Sequence, residues 1–119
     1  MTPFLTTLVS AVLAFAGVPP ASAAVPVQRY LLVIGANAGS PDRPKLQYAI
    51  SDAEHFARVM VELGGVPIAN EVILRQPKLN ELINALDQLT ARVKDAKRVK
   101  DAGRIEVILY YSGHADEQG

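Results

Sequence analysis

The chain has 119 residues, of which 50% are hydrophobic, with 12 basic and 12 acidic side chains and no cysteine. A formal net charge of zero argues against a protein that holds nucleic acid or a membrane surface by electrostatic attraction. The missing cysteine excludes disulfide staples, a thiol nucleophile and thiolate metal sites within these residues.

The first charged side chain is Arg29, so the opening segment and the remainder belong to different physical classes. Residues 4–18 (FLTTLVSAVLAFAGV) form an apolar run too short to span a bilayer core comfortably. Pro19 and Pro20 follow, then ASAAVP, in which Ala21 and Ala23 match the A-x-A pattern of a signal-peptidase site. The pattern predicts a signal peptide over residues 1–24, export to the periplasm or the exterior, and no stable membrane insertion after cleavage. Residues 25–119 then make at most one small domain.

RYLLVIGANAGS opens that domain with a continuous apolar run over residues 30–34, closed by Gly35 and a turn rich in Gly, Asn and Ser. A run apolar on both faces predicts a central parallel strand covered on each side. In SDAEHFARVMVELGG, Ser51 and Glu54 have capping-box spacing, and Ala53, Phe56, Ala57, Met60 and Leu63 recur at helical spacing. A helix over residues 52–63 is expected, stopped by Gly64 and Gly65.

EVILR, residues 71–75, predicts a second strand, and Pro77 suits the first turn of a second helix. Leu79, Leu82, Ile83, Leu86, Leu89 and Val93 mark an apolar, core-bound stripe along that helix. Lys94, Lys97, Arg98 and Lys100 lie where the macrodipole favours cations, so a solvated helix end running to a turn at Gly103 explains them without an acidic partner. IEVILYY, residues 105–111, is the third strand.

Strand, helix, strand, helix, strand predicts an α/β domain with a mainly parallel sheet and right-handed crossovers. An apolar third strand with a bare edge would invite aggregation, so these residues are expected to be the first part of a larger domain. In open α/β sheets the functional crevice lies beyond the carboxyl ends of the strands. If strands one and three are neighbours, the turn after Gly35 and the Ser112, Gly113, His114 turn face one crevice. His114 then stands on a rigid element with an imidazole suited to proton transfer near neutral pH.

Other chemistries fit less well. GANAGS lacks the glycine that a dinucleotide fingerprint needs at Asn37, and it lacks the Lys and Ser or Thr of a P-loop. Ser112 is outside any G-x-S-x-G elbow and reads as a turn residue. His114, Asp116 and Glu117 without a second nearby histidine make a poor metal set. His55 reads as a helix-face residue and Asp52 as an acid in a helix's first turn.

RYLLVIGANAGS, LQYAISDAEHFARVMVELGGV and VILYYSGHADEQG together resemble the amino-terminal part of a caspase-like cysteine peptidase of the bacterial metacaspase and paracaspase kind. The resemblance implies a three-layer α/β/α sandwich, of which the first three strands and two helices are present. It implies a Cys-His dyad acting on protein or peptide substrates, with no cofactor, no metal site and calcium dependence left open. His114 matches the catalytic histidine. Ala115, with Gly113 beside it, matches the backbone that binds the oxyanion, at a position where many relatives have glycine. Asn37 matches a position near the substrate pocket.

The family's cysteine lies about 50 residues after its histidine, beyond Gly119. Residues 25–119 are accordingly expected to be the truncated amino-terminal part of a catalytic domain, inactive alone. The rival readings are a non-catalytic caspase-like pseudoenzyme or binding module, and an unrelated Rossmann-like small-molecule binder.

Overall fold

The structure is a computed structural model that describes Gly17 and residues 24–116. The predicted signal peptide lies outside the described residues except at Gly17 and Ala24. The elements are β1 (Val27–Gly35), α1 (Ala49–Glu62), a short 3-10 turn at Ile68–Asn70, β2 (Glu71–Arg75), α2 (Leu79–Arg98) and β3 (Arg104–Ser112).

The three strands form a parallel sheet in the order β2-β1-β3. β1 is central because its residues can be buried on both faces, and Tyr30, Leu31, Leu32 and Val33 are all buried. Each such Leu or Val contributes about 1.5–3 kcal/mol on leaving water. Successive side chains alternate between faces. Leu31 and Val33 enter the cluster with Ala53 and Ala57 of α1. On the opposite face, Arg92 of α2 lies over the Tyr30 ring at 5.2 Å. The first crossover runs from β1 to β2 and the second runs back from β2 past β1 to β3, so the two helices cover opposite faces and three layers result.

Ala49, Ala53 and Ala57 are the buried residues of α1, spaced four apart, and their small side chains let the helix lie close on the sheet. Gly35 permits the closest approach: a methyl group there would stand 2.7 Å from the Ile50 α-carbon. Phe56 of α1 stacks on Tyr110 of β3 with centroids 4.2 Å apart, a contact worth about 0.5–1.5 kcal/mol beyond its area.

The strand expectations agree closely with the structure, but both helices differ from them. α1 begins at Ala49, so Ser51 lies inside it and its hydroxyl donates to the Tyr48 carbonyl at 2.9 Å. Glu54 pairs with Arg75 of β2 and does not close a capping box. At the other end the chain turns through Gly65, whose φ is +68°, while Leu63 is the solvent-facing C-cap. Pro77 precedes the Lys78 N-cap of α2 and does not enter its first turn. The α2 stripe is only partly core-bound. Ala85 and Ala96 are buried, whereas Leu79, at 74% exposure, Ile83 and Leu86 face solvent. Leu82, Leu89 and Val93 of the stripe are half-buried.

Candidate functional site

β1 and β3 are parallel neighbours, so the turns leaving them lie side by side at the carboxyl ends of their strands. The β1–β3 ladder runs from Val27 opposite Arg104 to Gly35 opposite Ser112. It is prolonged by Ala36 N–H donating to the Ser112 carbonyl at 2.9 Å. Beyond that last bond the chains diverge around a cleft of about 250 Å³, lined by Ala38, Gly39, Ser40 and Arg43 on one side and Tyr111, His114, Ala115 and Asp116 on the other. The two turns expected to share a crevice do so.

His114 is half-buried, and its Nε2 is buried without a hydrogen-bond partner. The ring is pressed against Gly39, where an added methyl group would stand 2.5 Å from Cδ2 and 3.2 Å from Nε2. An unpaired buried imidazole nitrogen loses its hydration without compensation, which is tolerated where the group has work to do.

The backbone that follows is pinned at two carbonyls. The Tyr111 hydroxyl donates to the His114 carbonyl at 2.6 Å, and Arg43 Nη1 donates to the Ala115 carbonyl at 2.7 Å. The His114 carbonyl and the Ala115 N–H belong to one planar peptide. Tyr111 therefore fixes the direction in which that N–H points. Gly113 leaves room for the arrangement, since a methyl group there would meet the Tyr111 hydroxyl at 2.5 Å.

Of the expected site residues, His114 and Ala115 line the cleft, whereas Gly113 and Asn37 are absent from its lining. Asn37 Oδ1 accepts from the Ile50 N–H at 3.0 Å and caps the start of α1 from outside the helix. Its carbonyl accepts from the Leu46 N–H at 2.7 Å, and its side chain is absent from the cleft lining. His55 is exposed on α1, and Asp52 lies in that helix's first turn.

Ser40, on the cleft rim, hydrogen-bonds Asp42 and holds its carboxyl below the usual range. A larger cleft of about 400 Å³ lies between α1 and β2, but its lining carries no histidine, and its Glu54 and Arg75 are paired with each other. Among the described residues there is no group of three or more His, Cys, Asp or Glu that could hold a metal ion; Glu117 lies outside them. Among the same residues no helix is long and apolar enough to cross a membrane.

The sequence does not point to Gly39, Arg43 or Gln76, and it marks Tyr111 only as part of the strand end that carries the resemblance. Gly39 stands inside the noticed GANAGS turn, but its role depends on which strand lies beside β1. A family model described as a caspase domain matches residues 28–119. No curated protein and no solved structure matches the chain.

Proposed function

The chain belongs to the caspase domain family, and on that premise we propose that it supplies the histidine half of a cysteine endopeptidase of the bacterial metacaspase and paracaspase kind. The observation that carries this reading is His114, delivered by β3 into the crevice beside β1 with its Nε2 buried and unpaired.

In this mechanism His114 takes the proton of a thiol, and the thiolate attacks the scissile carbonyl carbon. The carbonyl π electrons move to oxygen, and backbone N–H groups at Ala115 and Gly113 stabilise that oxyanion. Ala115 keeps the required N–H despite lacking glycine's conformational freedom, and Tyr111 orients its peptide through the His114 carbonyl. As the C–N bond breaks, His114 gives its proton to the leaving amine. It then takes a proton from the water that hydrolyses the thioester. The 119 residues contain no cysteine, so the thiol comes from polypeptide outside them. Residues 1–24 are proposed to direct export, on the strength of the apolar run and the Ala21, Ala23 pattern.

Two steps test the reading. The encoding frame is read past the Gly119 codon for a cysteine about 50 residues after His114. The polypeptide so encoded is then assayed on peptides, beside the 119-residue chain. Thiol-dependent cleavage by the longer chain, abolished by His114→Ala and absent from the shorter one, is the expected result. Cleavage that survives His114→Ala, or cysteine-peptidase turnover by the repurified 119-residue chain, overturns it. The absence of cysteine also favours a second reading, a non-catalytic caspase-like binding module, which a frame without the cysteine would select.

A further inference from the structure

Gln76 closes β2 at the level of the crevice and reaches across to the turn after β1. Its backbone N–H donates to the Gly35 carbonyl at 2.7 Å. Its side-chain amide meets both backbone groups of one residue: Oε1 accepts from the Ala38 N–H at 2.9 Å, and Nε2 donates to the Ala38 carbonyl at 3.1 Å. A primary amide offers one acceptor and two donors, so it stands in for the strand backbone where the ladder has ended.

The backbone of Gln76 has φ +47°, in the left-handed region that favours glycine. A side chain such as glutamine persists there when its surroundings fix it. The residue after Ala38 is Gly39, whose α-carbon supports the His114 ring. By contrast, Arg43 and Tyr111 bind carbonyls at Ala115 and His114, so they restrain the backbone and leave the ring direction open.

We propose that Gln76 is a positioning residue: its paired hydrogen bonds to Ala38 hold Gly39 as a wall that sets the direction of the His114 imidazole. The catalytic meaning of that direction rests on the peptidase reading, but the contact itself is tested without turnover.

The 119-residue chain has two histidines, so NMR can follow both rings, with exposed His55 as the internal reference. The wild type is expected to show a nuclear Overhauser contact between His114 Hδ2 and Gly39 Hα. Gln76→Gly keeps the left-handed backbone while removing the amide. It is expected to lose that contact and displace the His114 ring signals, leaving His55 and the amide fingerprint of β1 and α1 unchanged.

Gln76→Glu keeps an acceptor for the Ala38 N–H but loses the donor, and it is expected to weaken the contact; it decides the matter if the glycine variant fails to fold. No contact in the wild type, or an undiminished contact in whichever variant folds, overturns the proposal. A catalytically inert full-frame polypeptide whose 119-residue chain shows the expected pattern would sink the peptidase reading while leaving the positioning contact standing.

Discussion

Gly39 lies directly beneath the imidazole of His114, so close that a single methyl group on its α-carbon would stand 2.5 Å from Cδ2 and 2.9 Å from Cγ. The neighbour that must give way is a ring at the mouth of a cleft. Gly39→Ala is therefore expected to swing that ring outward and change unfolding free energy by less than about 1 kcal/mol. Urea unfolding combined with the histidine ring spectrum checks this. An unmoved ring with a loss of about 1–3 kcal/mol would mean that the wall is too rigid to yield.

Asn37 caps α1 through one hydrogen bond from the Ile50 N–H, at 3.0 Å. Asn37→Ala leaves that helix donor without its acceptor and is expected to cost about 1 kcal/mol in denaturant unfolding. Asn37→Asp keeps an acceptor and adds a negative charge at a helix N-terminus, so it should hold or exceed wild-type stability at neutral pH. A residue that touched substrate would show the opposite signature, with unchanged stability and altered KM in the full-frame polypeptide.

That cap also explains what was legible in the sequence and what was not. β2 is readable from five residues because its apolar run ends in local turn chemistry, and His114 is readable because it follows a buried strand directly. The start of α1 is misread at Ser51 and Glu54 because the side chain that caps the helix comes from the turn after β1. The same holds for Gly39 and Gln76, whose roles exist only once the order β2-β1-β3 brings three strand ends together. Local periodicity specifies elements; the site is a property of their adjacency.

Glu106 gives a pH dependence with a definite sign. It accepts from Arg29 Nε at 2.7 Å and pairs with Arg104 at 2.5 Å. The Arg29 hydrogen bond is the chief reason that its carboxyl is held below the usual glutamate range; Arg104 adds its charge, and desolvation works against both. A folded-state pKa below the unfolded value means stability present above the unfolded pKa and lost as pH falls through the folded one. Glu106→Gln should therefore be less stable than wild type at neutral pH. The difference should close in acid as pH falls through the lowered folded-state pKa, below which Glu106 is protonated in both states. A gap in unfolding midpoint that stays constant across that range would show that the Arg29 pair contributes nothing through charge.

The last expectation concerns the outer side of β3. Among the described residues no strand pairs with that edge. Val107, Leu109 and Tyr111 stand on one face at 45%, 60% and 53% exposure. A strand with unpaired backbone groups and an apolar face is a template for another chain. The groove beside it, lined by Leu86, Leu89 and Val93 of α2 with Val107 and Leu109, adds exposed apolar surface. The 119-residue chain is therefore expected to self-associate as its concentration rises in sedimentation experiments. Leu109→Lys puts a charge on the edge and sacrifices little buried area, so it should suppress association while shifting unfolding free energy by less than about 0.5 kcal/mol. A lysine variant that associates as strongly as wild type would exclude β3 as the contact. One that loses several kcal/mol instead would place Leu109 in the core, against its exposure.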